Sequence, residues 1–198
     1  FGLLAIKNVG EQVTEGIIGE RVRGGPFRDL ADFLMRVQHK DLNKKSLESL
    51  AKSGALDSLG SERKQILMNL DEILKFSAAI KKSAVPQNHH SLFGSEVSGS
   101  SSLKLKPTEA AQTQEKLTWE KELLGLYLSD HPLNPYAEKI KASQARPIRE
   151  AQLIKNENQV FRIAGLVSRV QKVMTKTGQP MAFIKIEDFS PEPIEVIV

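Results

Sequence analysis

Over the first eighty residues, apolar side chains recur three and four positions apart, the spacing of one helical face. Val13, Ile17, Ile18 and Val22 predict a helix of about three turns starting just after Gly10, and Arg23-Gly24-Gly25-Pro26 stops it. Leu30, Phe33, Leu34 and Val37 predict a second helix ending near His39, and Leu47, Leu50 and Ala51 a third. Ser61 is a suitable N-cap for a longer helix whose apolar face carries Ile66, Leu70, Ile73, Leu74 and Ile80. From Ala84 to Thr113, Ser, Gly, Pro, Gln and His dominate, which predicts a flexible linker. Helical spacing resumes over 114–128 with Leu117, Leu124 and Leu128; Asp130-His131-Pro132 ends it and a shorter helix follows over Pro135–Lys141. From Val160 the period becomes two. Strands are predicted over 160–173, 180–188 and 193–198, with Lys176-Thr177-Gly178-Gln179 as the first hairpin loop. Gly165 marks a bulge or sharp bend. The expected layout is multidomain α plus β: a helical domain over 1–83, the linker over 84–113, a helical connector over 114–150 and a strand region over 158–198.

Two turns stand out against this pattern. Asn8-Val9-Gly10 sets an apolar residue between two that tolerate the left-handed region, and Gly10 is expected to take φ > 0 there. Asp41-Leu42-Asn43 repeats the arrangement 33 positions on, and Leu47 and Leu50 match Thr14 and Ile17 at the same offsets. In such a turn the apolar residue buries itself and leaves the first amides of the next helix facing outward. Those unpaired N–H groups carry partial positive charge and can cradle a phosphate without reading a base. The bland alternative is an ordinary corner between helices.

Composition narrows the chemistry. The 198 residues contain no cysteine, so disulfides and thiolate chemistry are excluded, and four histidines make a metal site a poor expectation. Twenty-eight basic against 24 acidic residues leave a net charge of +4, so any basic footprint must be local. No apolar run has membrane-spanning length and no secretory leader is visible. Phe1 is no initiator and Val198 closes within a strand-like run, so the chain reads as a piece of a longer one. Asp130-His131 sits at a helix end, where capping is the simpler role, and Glu187-Asp188 would point to opposite faces of a strand, which is poor metal geometry. No catalytic machinery is legible.

The Asn8–Gly10 turn resembles the hairpin of the helix-hairpin-helix DNA-binding motif, with Asn8 in place of its first Gly. The runs FGLLAIKNVGEQ, GPFRDLADF, NKKSLESLAKSGALDSLG, SLFG, EKELLGLYLSDHPLNPY and VFRIAGLVSRVQKVMTKTGQPMAFIKIED, in that order, resemble the DNA polymerase III alpha-subunit family of bacterial replicative polymerases. The resemblance implies a tandem helix-hairpin-helix domain gripping duplex DNA, then a peptide that recruits the sliding clamp. The first three strands of an OB-fold barrel follow, contacting single-stranded DNA. It also implies other replicative holoenzyme subunits as partners and a cytoplasmic, nucleoid-associated setting. The parent would be a DNA-directed DNA polymerase using Mg2+, whose catalytic carboxylates lie outside this sequence, so no cofactor is expected here. The alternative is a helical protein-interaction scaffold without DNA binding.

On this reading the duplex contacts are the amides of Val9, Gly10 and Glu11, helped by Lys7 and the turn residue Asn8. The second hairpin would contribute Asn43, Lys44 and Lys45, with Lys40 nearby. The Glu11 carboxylate must then point away. Around the strands, Arg162, Arg169, Lys172, Lys176 and Lys185 form a basic set, and a bulge at Gly165 would bring Arg162 and Arg169 to one face. Phe161, Phe183 and Phe189 are the aromatics available for stacking, though Phe161 and Phe183 equally suit a core. In the linker, Ser91, Leu92 and Phe93 match the last three places of the family's clamp-binding pentapeptide, and His89 stands where Gln is usual. Leu92 and Phe93 could instead dock back onto nearby helices.

Overall fold

A computed structural model of the chain describes residues 2–84, 103–153, 159–176, 178–190 and 192–198. They form two compact units, Phe1–Ser129 and Asp130–Val198.

The first unit is helical. A 3-10 turn at Leu3–Ala5 leads into the first hairpin, followed by α1 (Glu11–Gly24), α2 (Leu30–Arg36) and α3 (Lys44–Lys52). A second 3-10 turn at Asp57–Leu59 precedes α4 (Arg63–Met68), α5 (Leu70–Ala84) and α6 (Thr113–Leu124). Val13 and Ile17 of α1 meet Phe33, Leu34, Leu47, Leu50, Ile66 and Ile73 in one buried core. Ile18 and Val22, expected on that face, are instead 44% and 81% exposed, because the core takes up only a narrow stripe of α1.

Three expectations are corrected here. The long helix after Ser61 is two helices, capped not by Ser61 but by the Glu62 carboxylate, which accepts from the Lys64 and Gln65 amides. They part at Asn69, whose amide donates to the carbonyls of Gln65 at 2.8 Å and Lys106 at 3.1 Å while its oxygen accepts from the Lys106 amide at 2.9 Å. A short polar side chain thus offers the backbone an alternative to the helical ladder. Second, residues 103–112 are not a linker. Leu103 and Leu105 pack on the core, and the Ala111 amide donates to Glu62 at 3.0 Å. Third, the connector is divided between the units: α6 belongs to the helical one and ends at Gly125, whose φ of 78° suits glycine.

A buried ion pair fastens α6 in place. Glu120, fully buried, accepts from Arg63 at 2.8 Å through one oxygen, and from the amides of Leu128 at 2.7 Å and Ser129 at 2.9 Å through the other. Arg63 also donates to Asp57 at 2.8 Å and to the Lys52 carbonyl at 3.2 Å. Burial works to raise the Glu120 carboxyl, but the bonds from Ser129, Arg63 and Leu128 outweigh it and hold it below the usual range.

In the second unit a 3-10 turn at Asn134–Tyr136 runs into α7 (Ala137–Ala142), and α8 (Ile148–Gln152) precedes β1 (Leu166–Met174), β2 (Pro180–Glu187) and β3 (Ile194–Ile197). The strands form an antiparallel meander in the order β1-β2-β3. The register shift lies between Val167 and Arg169, not at Gly165. Gly165 answers a different need: a Cβ there would stand 2.6 Å from the Glu187 carbonyl oxygen. Asp188 closes β2 by accepting from the Ile148 amide at 2.7 Å and the Ser190 amide at 2.7 Å. Asp130 accepts from the His131 amide, and the His131 ring stacks on Phe189 with centroids 4.5 Å apart, so this pair shapes a turn.

Candidate nucleic-acid interface

The first hairpin is built from the turn outward. Val9 is buried, and its amide is used internally, donating to the Ile6 carbonyl at 3.2 Å. The left-handed position is Asn8, with φ of 67°, whereas Gly10 is extended at φ −80° and ψ 164°. Asn8 can hold that conformation because its amide donates to the Ser49 hydroxyl of α3 at 3.2 Å. The Lys7 amide donates to the Leu123 carbonyl of α6 at 3.1 Å. The hairpin is therefore anchored by α3 and α6, which lie far from it in sequence.

Gly10 is the N-cap of α1, and no side chain caps it. Among the described residues the amides of Gly10 and Glu11 meet no acceptor, and the exposed Lys7 beside them makes no ion pair. A Cβ at Gly10 would meet nothing within 4 Å, so the backbone lies open to an approaching group. This corrects the expected reason for the glycine: it keeps the approach clear and does not supply a positive φ.

The second hairpin has the same outline and a different state. Leu42 is buried like Val9. Asn43 caps α3, its side-chain oxygen accepting from the Lys45 amide at 2.9 Å and the Ser46 amide at 3.1 Å, while the Ser46 hydroxyl accepts from the Asn43 amide at 2.9 Å. Lys44 donates to Asp71 of α5 at 2.8 Å. Lys45 and Lys40 are exposed, and neither makes an ion pair among the described residues.

The basic set of the second unit is dispersed. Cross-strand pairs put Arg169 and Lys185 on one face of the sheet and Lys172 on the other, with Lys176 in the hairpin loop. Arg162 lies before β1 and donates to the Ser143 carbonyl at 2.9 Å, so it does not share a strand face with Arg169. Phe161 is half-buried beneath the Arg146 guanidinium, 5.4 Å from the ring centroid. His89, Ser91, Leu92 and Phe93 lie outside the described residues. Among the described residues no three His, Asp or Glu side chains converge as a metal site would need, and no helix is long and apolar enough to cross a membrane.

Residues 1–66 match the family model for the helix-hairpin-helix motif. The whole chain aligns with curated relatives. Over 198 residues it is 36% identical to DNA polymerase III subunit alpha of Neisseria meningitidis serogroup A, covering 100% of this chain and 16% of that protein. The Bacillus subtilis DNA polymerase III subunit alpha is 35% identical over 203 residues, covering 100% and 17%. That of Treponema pallidum is 35% identical over 189 residues, covering 95% and 16%. The chain belongs to the DNA polymerase III subunit alpha family. It spans about one sixth of the length of these relatives.

The family match reaches only to residue 66, yet α6, starting at Thr113, holds the Lys7 amide, and that dependence had no signal in the sequence. Ser49 and Asp71 were missed for the same reason. Their roles come from pairings 41 and 27 positions apart.

Proposed function

We propose that the helical unit grips the sugar–phosphate backbone of duplex DNA without base preference, as an arm of a replicative DNA polymerase. The observation that carries this reading is the uncapped N-terminus of α1, with the Gly10 and Glu11 amides open beside Lys7. Phosphate contact uses such amides directly, and Lys45 and Lys40 add charge from the second turn. The finer parts of the reading are proposals too. The segment His89–Phe93 docks on the sliding clamp. The three strands begin an OB-fold that touches single-stranded DNA through Arg169 and Lys185, which share a face of the sheet. Further holoenzyme subunits assemble around the parent protein, whose DNA synthesis uses Mg2+ held outside this sequence. On this reading the protein works on the chromosome, in the bacterial cytoplasm.

A protein-binding scaffold is the second reading, favoured by the exposed Ile18 and Val22 on α1. Salt separates the two. In an anisotropy titration with a labelled random-sequence duplex, the DNA reading expects log K to fall linearly with log salt, by about 0.9 for each phosphate neutralised. Lys45→Ala should reduce that slope by about one contact. No duplex binding at low salt, or a tenfold preference for one sequence of equal length, overturns the proposal.

A further inference from the structure

The two hairpins share an outline but differ in what occupies them. At the first, among the described residues, the Gly10 and Glu11 amides meet no acceptor and the Lys7 side chain makes no ion pair. At the second, Asn43 already accepts from two amides, and the lysine at the start of α3 is held by a carboxylate from α5. The Lys44–Asp71 contact is short, 2.8 Å, although both side chains are well exposed, at 58% and 74%. Neither is locked by packing. An ion pair in that setting adds little to folding stability, because solvent screens it and two long side chains lose freedom to form it. Its geometry fits another purpose. A negative oxygen beside a lysine at a helix N-terminus is what a bound phosphate would supply.

We propose that Asp71 is a built-in competitor for the phosphate that the second hairpin would otherwise grip, so that it sets the duplex affinity of the unit. This rests on the duplex-binding reading above. Bringing a phosphate to Lys44 means displacing the Asp71 carboxylate, which then stands as an unpaired like charge near the backbone. Lys44 accordingly adds little to binding while Asp71 is present, and the first hairpin with Lys7 and Lys45 carries most of it. Removing the Asp71 charge frees Lys44 and adds one counterion-releasing contact. The neighbouring pair, Glu72 with Lys75 at 2.9 Å on the exposed side of α5, supplies the control for general charge effects.

The test uses the full 198-residue chain and a fluorescein-labelled random-sequence duplex of about two helical turns, titrated from low to moderate salt. Asp71→Asn should tighten binding about threefold or more at low salt and steepen the log–log salt slope by about one. Lys44→Ala alone should change affinity less than twofold, yet in the Asp71→Asn background it should abolish the gain. Glu72→Gln should give a smaller increase that Lys44→Ala leaves intact. Thermal melts of all variants should stay within ~2 °C of the parent chain, as expected for an exposed pair. Duplex binding by the parent chain with no gain from Asp71→Asn, or a gain that survives Lys44→Ala, overturns the inference alone. Absence of duplex binding by all the proteins overturns the duplex reading, and this one with it.

Discussion

Replacing Glu120 by alanine tests whether α6 is a structural part of the helical unit. The side chain is fully buried and accepts hydrogen bonds from Arg63 and from the Leu128 and Ser129 amides. The substitution strands the Arg63 guanidinium, itself 5% exposed, with Asp57 and the Lys52 carbonyl as its remaining partners. Breaking a buried pair from one side costs about 3–5 kcal/mol, and the retained Asp57 contact argues for the lower end. The two amides lie in an exposed turn and can be rehydrated, so they add little. About 3 kcal/mol on a helical unit of this size lowers its melting temperature by roughly 10 °C, measurable by circular dichroism. The effect should reach the interface, because α6 presents the Leu123 carbonyl that holds the Lys7 amide. Duplex affinity should therefore fall at temperatures where the unit is still folded. The pH dependence carries a sign. Glu120 titrates in the folded state below its ordinary value of 4.5, so its contribution is present above that value and is lost as pH falls through the folded one. The stability gap between the parent chain and Glu120→Ala should shrink below about pH 4.5. A loss under about 1 kcal/mol at pH 7 would refute the claim that this pair fastens α6.

Other outcomes follow from the same geometry. Asn8→Gly should keep the first hairpin at modest cost, whereas Asn8→Val, forced to φ of 67° without the Ser49 bond, should lose about 2 kcal/mol in urea unfolding and weaken duplex binding. Gly10→Val should lower stability by about 1 kcal/mol as a poorer N-cap, and weaken duplex binding more than that loss explains; equal binding would show that no phosphate approaches there. Gly165→Ala should destabilise the sheet unit by about 1–3 kcal/mol, because its Cβ meets the Glu187 carbonyl oxygen at 2.6 Å. Burial tends to raise Asp188, but bonds from the Ile148 and Ser190 amides hold it below its ordinary 3.8. The sheet unit should therefore lose stability as pH falls through that range, and Asp188→Asn should flatten the acid limb of the curve.

The helices and strands were legible in the sequence because their signal is local. Leu30, Phe33, Leu34 and Val37 all turned inward, and the change to period two after Val160 marked a meander whose strands differ from expectation chiefly at the ends. The two hairpins were visible for the same reason, since a small-apolar-small turn at a fixed offset from a helix is a short-range pattern. Which lysines at those hairpins are paired was decided only in three dimensions. Lys7 and Lys44 look alike in sequence, but among the described residues Lys7 makes no ion pair, whereas the fold brings Asp71 to Lys44 from 27 positions away. Residues 103–112 read as linker because few apolar side chains mark them, yet the polar bonds of Asn69 and Glu62 hold them against α4 and α5. Arg63 and Glu120, 57 positions apart, gave no periodic signal, because a buried ion pair depends on two surfaces meeting and not on spacing along either. Local propensity and apolar period chose the elements. The cap residue, Asn43 at one hairpin and Gly10 at the other, sets locally which helix end is covered. Long-range hydrogen bonds and charges, which no local pattern encodes, decide how the hairpins are anchored and which lysines are paired.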